Sequence, residues 1–146
     1  MPSNYLSLVN ITPEEKQKHL FSESDKKLER IAKIIKSGQS EVEKCSLPVK
    51  LMTNLFYGSW LKGLHKKGGK FFIDSNCNTC KICEKICPVN NISIIKDKPQ
   101  WSDKCEECYA CFNFCPKMAI QVNKKSETQG RYHNPYVTIN EIIDQK

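Results

Sequence analysis

Two stretches of this chain repeat one pattern of cysteines. Residues 77–88 read Cys-Asn-Thr-Cys-Lys-Ile-Cys-Glu-Lys-Ile-Cys-Pro, and residues 105–116 read Cys-Glu-Glu-Cys-Tyr-Ala-Cys-Phe-Asn-Phe-Cys-Pro. Both are C-x₂-C-x₂-C-x₃-C-P, and their first cysteines, Cys77 and Cys105, are 28 residues apart. This period indicates a duplicated structural unit, so the two stretches decide how this part of the chain folds.

The spacing predicts thiolate ligands for two [4Fe–4S] clusters. In runs of this kind, three cysteines bind one cluster and the fourth binds the other. The i,i+4 step from Cys83 to Cys87, if helical, separates the two sulfurs by roughly 6 Å, which suits neighbouring clusters better than one shared cluster. We therefore expect cluster I to be bound by Cys77, Cys80, Cys83 and Cys115. We expect cluster II to be bound by Cys105, Cys108, Cys111 and Cys87.

Zinc and disulfide bonds are the alternative interpretations of these cysteines. Zinc sites with four cysteines also use C-x₂₋₄-C pairs, but they leave the third cysteine and the repeated C-x₃-C-P unexplained. A disulfide framework is typical of secreted proteins, whereas residues 1–5 lack the charged and apolar segments that open a signal peptide. A cytoplasmic, reducing location is therefore expected, and iron–sulfur ligation is the preferred interpretation.

Residues 72–123 resemble bacterial-type two-cluster ferredoxins. The resemblance is carried by the two cysteine runs and by the apolar segments 71–73, 92–95 and 119–122. It implies an α+β fold in which two pseudo-twofold halves each contain a short strand, a cluster loop, a short helix and a returning strand. We therefore expect a helical N-terminal extension (1–70), a two-cluster ferredoxin domain (71–123), and a C-terminal loop with a short helix (124–146).

Helical patterns occur in both flanks of the cysteine runs. A helix is expected to start at Thr12-Pro13, with Thr12 as its cap, to break near residues 22–24, and to stop at Ser37-Gly38. The apolar pattern at 51–64 predicts a second helix, which must pack on the first helix, on the cluster unit or on a partner.

The C-terminal tail is expected to have three parts. Residues 124–131 are expected to form a loop, and residues 131–133 to dock on the cluster unit. Residues 139–145 are expected to form a helix after a Thr138–Glu141 capping box.

Charge differs between the parts of the chain. Residues 1–70 contain 13 Lys/Arg and 7 Asp/Glu, whereas residues 71–123 contain 6 of each. Two oxidised clusters with their thiolates add about −4, which makes the cluster unit anionic. The basic arm fits a solvated helix surface, an acidic protein partner or, least well because acids alternate with its lysines, nucleic acid. No run of 18 apolar residues is present, so no membrane segment is expected.

The whole chain also resembles the C-terminal portion of flavodoxin–ferredoxin fusion proteins of anaerobes. Residues 1–5, 28–38 and 131–135 carry this likeness together with the cysteine runs. It implies a flavodoxin-like or other redox partner. A phosphate-binding loop after a strand is absent from the sequence, so FMN is not expected on this chain.

Electron transfer through two clusters, at low potential and with a flavoprotein, is therefore the expected function. The alternatives are a subunit or fragment of a flavodoxin–ferredoxin oxidoreductase, and a structural or nucleic-acid-binding cluster protein. The sequence contains no constellation of catalytic residues, and the ninth cysteine, Cys45, belongs to neither set. Because Lys81 and Lys85 flank the first set while Glu106 and Glu107 lie in the second, cluster I is expected to be reduced first.

Overall fold

The structure, a computed structural model, describes residues 11–42 and 44–146. These residues form an α+β arrangement of helices and two small sheets. The helices are α1 (Glu14–Lys36), α2 (Leu47–Leu64), α3 (Ile82–Ile86), α4 (Ala110–Asn113) and α5 (Ile139–Asp144). The strands are β1 (Phe72–Ile73), β2 (Ile92–Ile95), β3 (Lys98–Trp101) and β4 (Ile120–Gln121). The resemblance carried by residues 1–5 lies outside the described residues.

The strands pair across the two halves of the cysteine-containing unit. β1 pairs antiparallel with β4, and β2 pairs antiparallel with β3. Adding 28 to the residue numbers of the first half gives the equivalent residues of the second. By this relation β1 corresponds to the end of β3, α3 to α4, and the start of β2 to β4. Each sheet therefore joins an element of the first half to an element of the second. The predicted apolar segments contain β1, β2 and β4, whereas the polar β3 was not recognised.

A small core lies between the two halves. Phe112 is fully buried at 0% exposure, and Ile86, Ile92 and Ile120 are also buried. The Phe71 ring stacks on Trp101 at a centroid distance of 5.5 Å and meets Tyr109 edge-on at 5.8 Å. A core of this size buries little apolar surface, so the unit needs further stabilising interactions.

α1 differs from its prediction in two details. It starts at Glu14 with Pro13 at the capping position, so Thr12 is not the N-cap, although the expected acids Glu14 and Glu15 do lie in the first turn. It also runs unbroken through residues 22–24, because Ser24 Oγ donates to the Leu20 carbonyl at 2.8 Å and so remains within the helix. The predicted stop is confirmed, with Gly38 at φ 67°.

α2 is apolar around its circumference and exposed. Its start at Leu47 precedes the predicted apolar pattern by four residues. Leu55 is 74% exposed, Phe56 61% and Trp60 49%. Neither α1 nor the cysteine-containing unit buries these side chains, so the packing expected on either of them is not found. None of the helices in the described part of the chain combines the length and apolarity that a membrane crossing requires.

The 3₁₀ turn His65–Lys70 connects α2 to β1 and packs against the second half of the cysteine unit. An added Cβ at Gly68 would lie 2.8 Å from the Ser102 carbonyl oxygen and 3.0 Å from Cys105 Cβ. An added Cβ at Gly69 would meet nothing within 4 Å. Gly68 is therefore required for close packing between the end of the extension and the second cysteine loop.

The C-terminal tail docks on the cysteine unit through Arg131, as expected. Its guanidinium lies 3.5 Å from the centroid of the Phe112 ring. It also donates to five acceptors, namely the carbonyl oxygens of Ser126, Gln129, Met118 and Ile120 and the side-chain oxygen of Gln121. Burial lowers the pKa of Arg131 from its ordinary value.

Two further residues of the tail contact the cysteine unit. Tyr132 N–H donates to Asn113 Oδ1 at 3.1 Å, and the His133 ring stacks on the Phe114 ring at a centroid distance of 4.6 Å.

Two capped elements complete the tail. The predicted loop at 124–131 contains a 3₁₀ turn, Lys124–Glu127, that Asn123 and Ser126 cap reciprocally. The helix α5 and its capping box are confirmed, since Glu141 N–H donates to Thr138 Oγ1 and the Glu141 carboxylate accepts from Thr138 N–H. Hydrogen bonds from the Thr138 backbone and side chain lower the pKa of Glu141.

Arg131→Met should destabilise the cysteine unit by about 2–3 kcal/mol, because it leaves several carbonyl oxygens without a charged donor. Lys125→Met, an exposed control that also replaces one positive charge with an apolar chain, should change the free energy of unfolding by less than about 0.5 kcal/mol. Denaturant unfolding followed by circular dichroism measures both. Equal losses in the two variants would contradict a structural role for Arg131.

Gly68→Ala should lower stability by about 1–3 kcal/mol, because the new methyl group meets backbone and Cβ atoms that cannot rotate away. Gly69→Ala is the matched control and should be neutral or slightly stabilising. Thermal unfolding midpoints compare the two variants. Similar midpoints would show that the contact of Gly68 with the second loop is dispensable.

Candidate metal centre

The eight repeated cysteines line two cavities, four to each. Cavity I is lined by Cys77, Cys80, Cys83 and Cys115. Cavity II is lined by Cys87, Cys105, Cys108 and Cys111. In each cavity, three cysteines come from one repeat and the fourth comes from the other. The structure thus brings together the same two sets of residues that the sequence grouped.

The two cavities are related by the internal repeat but differ in chemistry. Lys81 and Lys117 line cavity I. The equivalent positions 28 residues away are Tyr109 and Val89, which line cavity II. Phe71, which lines cavity II, likewise corresponds to Pro99 in cavity I. Cavity I is therefore basic at its edge, whereas cavity II is more apolar and aromatic.

Left-handed backbone conformations shape both cysteine loops. Thr79, Lys81 and Asn90 have φ values of 56°, 62° and 50°. The residues 28 positions later, Glu107, Tyr109 and Met118, have φ values of 50°, 57° and 49°. Side-chain-bearing residues seldom adopt positive φ, so its recurrence at equivalent positions marks one loop geometry used twice. This geometry turns the first three cysteines of each run toward one cavity.

Backbone N–H groups contact the fourth cysteine of each run. Asn91 N–H donates to Cys87 Sγ at 3.2 Å, and Ala119 N–H donates to Cys115 Sγ at 3.3 Å. These bonds are equivalent under the 28-residue shift. An N–H donor stabilises a thiolate relative to a thiol. The two crossing cysteines are therefore held by equivalent backbone hydrogen bonds.

Burial opposes bare thiolates in these cavities. It raises the pKa of Cys83 to about 11 and also raises the pKa of Cys105. It likewise raises the pKa of Cys111, although the Trp101 indole N–H acts in the opposite direction. Burial thus favours the protonated form of these three thiols, and a bound cation would replace their protons. A cysteine-rich, buried donor set of this kind fits a soft metal group that neutralises thiolates.

The sulfurs surround a space rather than converge on one point. A tetrahedral zinc ion, about 2.3 Å from each sulfur, requires the sulfurs to lie only about 4 Å apart. Among the described residues, no group of three or more His, Cys, Asp or Glu side chains is close enough to hold a single metal ion. All nine cysteines are free of disulfide bonds. The described cysteines therefore line the two cavities without disulfide bonds and without converging on one point.

Sequence reasoning missed the cavity residues that are not cysteines. Phe71 and Trp101 line cavity II, and Gly68 packs behind Cys105. Applying the 28-residue shift to β1 would have located Trp101, because the shift carries Ile73 onto it. Cys45 is exposed and lines neither cavity, and His133 stacks on Phe114 instead of facing a cysteine set.

Comparison with known proteins adds no neighbour, since the chain matches no protein-family model, no curated protein and no solved structure.

Proposed function

We propose that this chain is an electron carrier that binds two [4Fe–4S] clusters in a bacterial ferredoxin-like unit spanning residues 71–123. One observation carries the proposal: each four-cysteine cavity takes three cysteines from one repeat and the fourth from the other. This exchange is what the doubled C-x₂-C-x₂-C-x₃-C-P run requires for two neighbouring clusters. Cys77, Cys80, Cys83 and Cys115 would bind cluster I. Cys105, Cys108, Cys111 and Cys87 would bind cluster II.

When bound, each cluster supplies reversible one-electron chemistry. The chain's own contribution is to hold the two sites and tune their electrostatics. The N–H groups of Asn91 and Ala119 support negative charge on the crossing cysteines. Phe112 and Ile86 are buried in α4 and α3, the helices that carry Cys111 and Cys83, and exclude water there. Electron transfer requires no acid, base or nucleophile from the protein, and the activity that we propose is that of a carrier.

Contact between the two sites would let electrons pass between them. α3 carries Cys83, α4 carries Cys111, and the two helices pack together. The packed helices α3 and α4 therefore offer a route for electrons between the proposed clusters.

The exposed helix α2 supports a redox-protein partner. Its apolar side chains are left in water by the rest of the described chain, and exposed patches of this size mark interaction sites. Residues 44–73 contain six lysines and no acidic residue, so an acidic partner is favoured. The turn after α2 reaches cavity II through Gly68, which would place such a partner beside cluster II.

A flavodoxin-like protein has the chemistry expected of this partner, and FMN would be carried by the partner rather than by this chain. The same observation favours the second candidate function, in which the chain is an electron-transfer subunit or fragment of a flavodoxin–ferredoxin oxidoreductase. Both functions use the same clusters and the same surface. A cytoplasmic location, which keeps low-potential clusters in a reducing setting, remains part of the proposal.

Anaerobically prepared protein should contain about eight irons and eight sulfides per chain, and dithionite should bleach its visible absorbance reversibly. Cys115→Ser and Cys77→Ser should each reduce the iron content to about four and leave the same EPR signal, because both variants lose cluster I. Cys87→Ser and Cys105→Ser should each leave the other signal. Cys45→Ser is the control and should retain about eight irons.

Two results would contradict this assignment. A zinc content of one or two per chain without sulfide would replace electron transfer with a structural role. If Cys87→Ser instead matched Cys77→Ser, each cluster would be bound within one repeat and the exchange of the fourth cysteine would be wrong.

Reduced protein should transfer electrons to a purified acidic flavodoxin in a salt-dependent manner. Lys50→Glu/Lys62→Glu on α2 should lower the second-order rate constant about tenfold at low ionic strength, measured by stopped-flow absorbance. Lys124→Glu/Lys125→Glu makes the same change of charge away from α2 and should have a smaller effect. Equal effects of the two pairs would rule out α2 as the docking surface.

A further inference from the structure

Trp101 brings to cavity II a buried polar atom that the proposed function leaves unexplained. It ends strand β3 and lines the cavity together with Cys111 and Cys105. Its indole Nε1 is buried, and no acceptor among the described residues meets hydrogen-bond geometry with it. A buried N–H without a partner costs about 1–3 kcal/mol, so its place in a side chain that lines a cysteine cavity calls for an explanation.

The surroundings of Trp101 fix the direction of that N–H. The ring stacks nearly parallel on Phe71, with 14° between the two planes. The backbone of Trp101 pairs with Ile92 across the β2–β3 sheet. Ring and backbone are therefore both held, which limits the rotation that would carry the N–H away from the cavity. Cys111 lines the same cavity as this ring.

The other half of the unit lacks this donor. Residue 73, which is equivalent to Trp101 under the 28-residue shift, is isoleucine. Backbone N–H donors are matched between the halves, since Asn91 and Ala119 occupy equivalent positions. The side-chain donor is thus an asymmetry between two otherwise similar sites.

We propose that the Trp101 indole N–H donates to the Cys111 sulfur when cluster II is bound, and that it raises the reduction potential of cluster II. This inference rests on the proposed function. A hydrogen bond to a ligand sulfur stabilises the more negative, reduced state of the cluster. Trp101 is accordingly a positioning residue that acts through Cys111.

The Trp101 hydrogen bond and the charges near the two sites shift the difference between the two reduction potentials in opposite directions. Lys81 and Lys85 favour reduction of cluster I, and Glu106 disfavours reduction of cluster II, but all three residues are exposed and screened by solvent. The Trp101 N–H is buried, where an electrostatic interaction is stronger. Trp101 therefore compensates for the apolar lining of cavity II and brings the two potentials closer together. Similar potentials favour rapid passage of electrons in both directions.

Trp101→Phe removes the N–H and keeps an aromatic ring against Phe71. In an EPR-monitored redox titration, it should lower the potential of cluster II by about 59 mV, equivalent to a tenfold change in electron distribution for a one-electron couple. The potential of cluster I and the count of about eight irons should not change. The Cys108→Ser variant identifies which signal belongs to cluster II. Trp60→Phe, the same substitution at the exposed tryptophan of α2, should move neither potential.

Unchanged potentials in Trp101→Phe, or equal shifts of both clusters, would overturn the inference while leaving cluster binding intact. Failure to load iron into the wild-type protein would instead refute the proposed function. If Trp101→Phe alone fails to load, wild-type protein with ¹⁵N-labelled tryptophan provides the test. Pulsed EPR of the reduced clusters should then detect coupling to an indole nitrogen, and its absence would also overturn the inference.

Discussion

The exchange of one cysteine between the two repeats is the constraint on which the rest of the structure depends. Cys115 completes the cavity of the first repeat, and Cys87 completes that of the second. Neither four-sulfur site can form unless both halves are folded and joined. The strand pairing has the same logic, because β1 finds its partner only in β4 at the far end of the unit. The pairing of the strands and the positions of the four cysteines around each cavity are therefore established together.

Close packing around this exchange takes the place of a large hydrophobic core. The unit buries few large side chains, but it has several polar contacts of long reach in the sequence. Gln121 donates to Asp74, 47 residues away, and the Asn91 side chain accepts from Lys104 N–H and Ser102 Oγ. Arg131 then ties the tail to the buried Phe112. These contacts order the elements that carry the cysteines, and in our proposal the clusters supply the remaining stabilisation.

The sequence predicted the parts of this structure whose signals are local. The cysteine spacing grouped the two sets, the Thr138–Glu141 pair located α5, and Gly38 marked the end of α1. It did not predict β3, because Lys98-Pro99-Gln100-Trp101 has no apolar alternation and is a strand only through its pairing with β2. The roles of Gly68 and Trp101 were also missed, since both depend on contacts with residues distant in the chain. The exposure of the apolar side chains of α2 likewise follows from no local pattern in the sequence.

The left-handed residues of the two loops have a consequence for how the unit comes apart. Neither cysteine run contains a glycine. Four residues within the runs, and one residue shortly after each run, nevertheless adopt the positive-φ conformation that glycine favours. Each such residue costs about 1 kcal/mol or more when nothing holds it. Long-range contacts hold them here, as in the 2.7 Å bond from Thr79 Oγ1 to the Asp97 carbonyl oxygen. The loops are thus unable to persist as independent local structures, and loss of either half is expected to melt the whole unit in one cooperative transition.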